Sequence, residues 1–284
     1  MNKSAGMYCY SLDGTLLWKR DLGEVRVGAS LGEGCSPVLH HGRIIIVRDH
    51  AGQSSIEVLE AATGQTVWKR TRDEKNAWAT PKIFTKDGER TQVITAASNF
   101  IRSYDLDTGE IIWQCSGLTG NVTPSPVIYK DMVICMSGYE GHSVMALKLD
   151  SKGDVSGSSA VVWSGDKGTP YIPSPLLFDD QLYFTQSNKG ILTSLNVTTG
   201  EAIIERTRLP DIQNIYASPV GANGHVYFAG RTGATVVLKH TNELNVVATN
   251  KLDDEFNASP VPVGDCLYLR GRRYLYCIGE NKNN

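Results

Sequence analysis

The sequence predicts an all-β fold, a β-propeller of four-stranded antiparallel blades. Three observations predict it. Ser-Pro or Thr-Pro recurs at Ser36, Thr80, Ser125, Ser174, Ser218 and Ser259, at intervals of 44, 45, 49, 44 and 41 residues. In register with it, a glycine turn leads to a large apolar residue: Gly14 to Trp18, Gly64 to Trp68, Gly109 to Trp113 and Gly200 to Ile204. Each repeat also holds short runs of Val, Ile, Tyr and Trp between turn residues, with no convincing helical period. A period of about 45 residues suits a propeller blade.

The elements follow in order. The first full repeat offers strands at 37–39, 43–48, 56–60 and 66–70. Proline can open a strand because no ladder donor is needed there. Glycine in the Thr-Gly turn supplies the positive φ of a tight hairpin. The Trp on the outermost strand is large enough to pack between blades. Blades are expected to start near Ser36, Thr80, Ser125, Ser174, Ser218 and Ser259, within one domain over 1–284. Gly153 to Trp163 reads as the same turn-and-Trp unit, stretched by an insertion at 155–159. Between His240 and Lys251 the marker has decayed, with Val246-Val247 in place of Trp.

At the N-terminus, 6–12 reads as a third strand and 16–20 as a fourth. At the C-terminus, 260–263, 266–270 and 273–279 read as first, second and third. Residues 1–20 are therefore expected to supply the strand that closes the last of six blades, which removes open sheet edges. The alternative is an open ring or part of a seven- or eight-bladed one, since Tyr8–Tyr10 and Leu275–Cys277 compete for one slot. The sequence would then be an excerpt of a longer protein.

Composition narrows the function classes. Of 284 residues, 41% are hydrophobic and 20% charged, enough apolar content for a packed core. The net charge of −2 leaves no basic surplus for nucleic acid or an anionic membrane. No apolar run is long enough for a transmembrane helix, and the first residues carry no secretory pattern. Six cysteines, at 9, 35, 115, 135, 266 and 277, include no CxxC and no adjacent pair. They read as free thiols. A disulfide among Cys9, Cys266 and Cys277 stays open if the two termini meet.

The segments 60–68 (EAATGQTVW) and 105–113 (DLDTGEIIW) resemble the repeat of the pyrroloquinoline-quinone-like (PQQ-like) β-propellers. That family includes quinoprotein alcohol dehydrogenases and BamB-like lipoproteins of outer-membrane assembly. The resemblance runs from about Met7 to Gly279 and implies the propeller more than an activity. It implies an exported, periplasmic setting. It also implies what a quinone would need: a Trp, a disulfide of two adjacent cysteines, and Glu, Asn and Asp on Ca²⁺. The sequence has no such cysteine pair, and no acidic cluster has calcium-loop spacing. Asp253-Asp254-Glu255 reads as a solvated loop. No cofactor is expected.

Binding residues are expected on the face shared by the loops that lead into first strands and the loops joining second to third strands. The lead-in loops carry Asn76, Trp78, Asn121, Tyr171, Asn214, Tyr216, Phe256 and Asn257. The second-to-third loops carry Arg48, Asp49, His50, Asn99, Tyr139, Glu140, His142, Asn188, Arg231, Arg272 and Arg273. Trp78 stands out because it lies outside the blade-docking series. An aromatic, amide-rich rim with arginines suits protein or peptide contacts, or carbohydrate. His50 beside Asp49 and His142 near Glu140 are the only acid–base pairings in reach, and surface histidine explains both. No HExxH, GxSxG or phosphate-loop pattern occurs. The sequence thus points to a non-catalytic, BamB-like binding scaffold. The alternatives are a quinoprotein-type oxidoreductase that has lost its cofactor site, or a carbohydrate-active propeller lyase or hydrolase.

Overall fold

The computed structural model describes residues 4–27, 32–86 and 88–279. They contain strands and no helix. The chain divides into two compact units, 1–135 with 145–161, and 136–144 with 162–284.

In the first unit, β1 (Ser4–Tyr10) and β2 (Leu16–Glu24) form a two-stranded sheet. Residues 16–20, offered above as an outer strand for the last blade, pair with β1 here, Trp18 opposite Cys9. Next comes the sheet β3 (Val38–His40), β4 (Arg43–Arg48), β5 (Ser54–Glu60) and β6 (Thr66–Arg72), in that order. The sheet β7 (Lys82–Phe84), β8 (Gln92–Ala96), β9 (Ile101–Asp105) and β10 (Ile111–Cys115) repeats the pattern. A further sheet, β11 (Val127–Tyr129), β12 (Met132–Ser137), β13 (Ser143–Lys148) and β15 (Val161–Gly165), draws residues from both units. Just before the insertion, β14 (Gly153–Asp154) pairs in parallel with β10 and makes a fifth strand there.

The second unit holds the sheet β16 (Leu176–Phe178), β17 (Gln181–Thr185), β18 (Ile191–Asn196), β19 (Ala202–Arg208). It also holds β20 (Val220–Ala222), β21 (His225–Ala229), β22 (Ala234–Lys239), β23 (Val246–Lys251). A three-stranded sheet, β24 (Val261–Val263), β25 (Cys266–Arg270) and β26 (Leu275–Gly279), ends it.

The second and third strands of each four-stranded sheet are buried on both faces, as in β4 and β5. Their near-continuous Ile and Val runs follow from that double burial. The fourth strands are exposed on one side, and their Trp turns inward. Trp68 donates its indole N–H to Leu106 O at 2.7 Å, and Trp18 and Trp163 do the same to Ala61 O and Val197 O. Gly109 shows why that turn is glycine: its φ is +71°, and a Cβ there would lie 2.7 Å from the Trp68 ring. Trp113 differs. It is fully buried, and its indole bonds Gln92 Oε1 of its own sheet. Where Val246-Val247 replaces the Trp, no indole fills the gap. A groove of about 1220 Å³ lies between this sheet and the last one, lined by Tyr227, Val237, Leu267 and Ile278 among others.

The Ser/Thr-Pro marker has a second role that its proline conceals. The Ser36 N–H donates to Thr80 Oγ1 at 3.1 Å, and the Thr80 N–H to Ser125 Oγ at 3.2 Å. In the second unit the Ser174 N–H donates to Ser218 Oγ at 2.9 Å, and the Ser218 N–H to Ser259 Oγ at 3.0 Å. Each hydroxyl thus caps the marker of the preceding sheet. A Ser or Thr hydroxyl suits the position because it accepts the backbone N–H of the preceding marker.

Candidate functional site

The loops that lead into first strands and those that join second to third strands meet in both units. Backbone pairs link them: Asp49 with Ala77 in the first unit, Pro170 with Ser187, Lys189 with Asn214 and Phe256 with Gly271 in the second. These loops are therefore paired within each unit, with a different chemistry in each.

In the first unit the rim closes on itself. Arg72 ends β6 with its side chain fully buried, and it grips Asp49 through two hydrogen bonds of 2.8 and 3.0 Å. It also reaches Tyr104 Oη and Thr95 Oγ1. Arg102 pairs with the buried Glu74 at 3.1 Å, while Glu74 accepts the N–H groups of Asn99 and Phe100. Burial pushes the Glu74 carboxyl above its ordinary range, against the lowering effect of the Asn99 N–H and Arg72. Arg48 is buried too. It pairs with Glu33 and donates to Leu22 O and Gly23 O. His50 is 6% exposed, accepts the Gly52 N–H on Nδ1, and is held below its ordinary pKa by burial and then by Arg48. Trp78 is half-buried, with its indole N–H bonded to Gly32 O at 3.0 Å. Asn99 donates Nδ2 to Asp73 O, and Asn121 takes a left-handed φ of 56° while its N–H bonds Ser98 Oγ. Asn76 Oδ1 is buried without a partner. Arg48, His50, Asn99 and Trp78, expected as binding residues, have their polar groups engaged within the unit.

In the second unit the rim residues are more open, with Tyr139 and Asn257 exposed and Tyr171, Tyr216 and Arg231 half-buried. Tyr139 is 52% exposed and packs its ring on Tyr171, centroids 4.7 Å apart. Gly138 permits that approach, since a Cβ there would stand 2.4 Å from Pro170 O. Burial first, then Tyr139 and Tyr216, push the Tyr171 phenol above its ordinary pKa. Arg231 lies over the Tyr216 ring, 4.2 Å from its centroid, and donates Nε to Asn257 Oδ1 at 2.8 Å. Asn188 Oδ1 accepts the Ile172 N–H, and its backbone carbonyl accepts the Ile215 N–H. Tyr139 thus packs with Tyr171, and Tyr216 with Arg231 and Asn257, while Asn188 ties together the backbones next to Tyr171 and Tyr216.

Two expectations change. Phe256 is 0% exposed, packed with Ala217, Ala229 and Leu269, so it belongs to the core. A large ring in that loop has an apolar pocket waiting, and burial wins. Asp254 is no solvated residue either. It is 8% exposed and accepts the N–H groups of Glu255, Arg273 and Tyr274. Burial raises its carboxyl, but those donors outweigh burial and hold it below the ordinary value. Arg272 and Arg273 pair with Glu255 and Asp253 beside a cleft of about 940 Å³.

Sequence reasoning missed the Arg72–Asp49 and Arg102–Glu74 pairs. Their signal is faint: arginine at the inner end of a strand, where its neighbours are apolar.

Among the described residues no group of three or more His, Cys, Asp or Glu side chains is placed to hold a metal. All six cysteines are free thiols. Burial pushes the Cys35 thiol up to about 12 and Cys135 upward as well. No two are neighbours in sequence, and the Trp78 indole is already engaged, so the residues present do not fit the quinone cradle that the resemblance describes.

The sequence matches the family described as outer membrane protein assembly factor BamB, a PQQ-repeat family, over residues 2–204. Comparison with curated protein sequences gives no match. Among solved structures, BamB from Moraxella catarrhalis aligns with a TM-score of 0.54 at 15% identity, over 100% of this chain and 91% of its own. The computationally designed Ika8 protein aligns at 0.63 and 14% identity, over 97% and 83%. Quinohemoprotein alcohol dehydrogenase from Comamonas testosteroni aligns at 0.54 and 14% identity, over 88% of this chain and 46% of that enzyme. With the antiparallel four-stranded sheets, these likenesses show a β-propeller fold.

Proposed function

Because the chain belongs to the BamB family of PQQ-repeat proteins, we propose that it is a non-catalytic binding scaffold that grips an extended segment of another protein along the second unit's rim. One observation carries this reading: Tyr139, Tyr171, Tyr216, Arg231 and Asn257 are held in place by contacts with one another, with Tyr139 and Asn257 exposed and the other three half-buried. Tyr and Arg are enriched at binding hot spots, and Tyr offers large area with little rotamer entropy to lose. No cofactor takes part. The family resemblance supports an exported setting.

The test is a titration of short labelled Tyr- and Pro-containing peptides against the full-length protein and two variants. Tyr171→Ala with Tyr216→Ala is expected to weaken binding by tenfold or more, on the order of two hot-spot truncations. Trp78→Ala is expected to leave it unchanged, since that indole is bonded within the first unit. Equal binding by the tyrosine variants overturns the reading. So does alcohol oxidation on adding quinone and Ca²⁺.

A further inference from the structure

Resting on the rim as the binding face, we infer that the second unit recognises a carboxylate on its peptide partner, through the free edge of Arg231. Arginine over an aromatic ring recurs in this protein, and the other cases show what is different here. Arg72 lies over Tyr104, Arg102 over Phe100 and Arg273 over Tyr274. Each of the three also holds a carboxylate: Asp49, Glu74 and Asp253 respectively. Arg231 lies over Tyr216 at 4.2 Å, closer than any of them, and pairs with no carboxylate among the described residues.

Its surroundings hold it still. The ring supports one face of the guanidinium. Asn257 Oδ1 takes the Nε hydrogen at 2.8 Å. The backbone is pinned on both sides, the Arg231 N–H donating to Asn214 O and Arg231 O accepting the Phe256 N–H. With Nε engaged, the two Nη groups remain, and together they match the two oxygens of a carboxylate. A fork held in place in advance loses little rotamer entropy on binding.

The nearby acids do not neutralise it. Asp253 pairs with Arg273, Glu255 with Arg272, and Asp254 with the backbone of the last rim loop. An incoming Asp or Glu side chain, or the terminal carboxylate of a peptide, supplies the missing charge. The packed rings of Tyr171 and Tyr139 take the flanking residues, most favourably proline or aromatic ones. The occupant is therefore an acidic, extended peptide with rings beside its carboxylates.

The experiment compares two fluorescein-labelled peptides, a repeated Pro-Glu-Tyr sequence and the same with Gln for Glu. Each is titrated against wild type, Arg231→Gln and Arg231→Lys by fluorescence polarisation. Wild type is expected to favour the Glu peptide about tenfold, the size of one charge-assisted pair. Arg231→Gln should abolish that preference while still binding the Gln peptide. Arg231→Lys should restore part of it, since an ammonium lacks the fork. Raised salt should weaken the Glu peptide more than the Gln peptide. Equal affinity of wild type for both peptides overturns the carboxylate proposal and leaves the rim reading standing. So does a preference that survives Arg231→Gln. If neither peptide binds and a uronate-bearing oligosaccharide does, both the rim reading and this proposal fail. Unchanged thermal midpoints of the variants show that folding is intact.

Discussion

The two units carry the same loops on the same type of rim, and they use arginine in opposite ways. In the first, Arg72 and Arg102 are buried against Asp49 and Glu74. In the second, Arg231 lies on a tyrosine and has no carboxylate partner among the described residues. The lesson is about the cost of burial. A guanidinium removed from water needs a matched anion and filled hydrogen bonds, and Arg72 and Arg102 have both. A guanidinium left half in water needs neither and keeps donors for a partner. Rim position alone therefore does not make a binding residue.

The sharpest way to break the contrast is to open the first rim. Arg72→Ala leaves the Asp49 charge buried and unpaired. It should destabilise the protein by about 3–5 kcal/mol, read by denaturant unfolding. A loss below about 1 kcal/mol would mean that water reaches Asp49 easily, and the two rims would then differ less than proposed.

Acidity offers a second handle, because the two units respond with opposite sign. Asp254 has a folded pKa below its unfolded value. Its stabilisation is present above about pH 4, the unfolded value, and is lost as the pH falls through the folded one. Asp254→Asn should therefore lower the melting temperature at neutral pH, and the gap from wild type should close in acid. Glu74 has a folded pKa above its unfolded value. Its contribution instead improves as the pH falls through the folded value towards the unfolded one. Glu74→Gln removes that acid-side gain. Melting curves across pH for both variants check the signs, and parallel profiles would contradict them.

A smaller effect tests the feature that the units share. Ser218→Ala removes the hydroxyl that accepts the Ser174 N–H at 2.9 Å. It should cost about 1 kcal/mol, the net worth of one such bond. Thr80→Ala should cost the same in the first unit, where Thr80 Oγ1 accepts the Ser36 N–H. The smallest change comes from Tyr139→Ala, whose ring is half in water. It should alter stability by no more than about 0.5 kcal/mol while weakening peptide binding, which separates binding from folding at the second rim.

How much of this was legible in the sequence depends on how local the cause is. The Gly64 and Gly109 turns and the Trp residues beyond them repeat because each hairpin needs a positive φ and each outer strand needs a docking ring. Both are set within a few residues, so the repeat and the fold class could be read directly. The loops that make the rim could be placed too, since they fall between strands of known order. Their roles could not. Phe256 and Tyr216 look alike in sequence, as an aromatic two or three residues before Ser-Pro. One fills an apolar pocket and the other carries an arginine.

The amino-acid order by itself determined the blade repeat, the antiparallel strands, the docking tryptophans and the set of rim residues, because these follow from local turn geometry and side-chain size. Only the tertiary structure decided which rim charges are matched and which are free. Arg72 meets Asp49 from 23 residues away, and Arg231 meets Asn257 from 26 away. Electrostatic pairing is a property of distances in space, and no local pattern in the sequence records them.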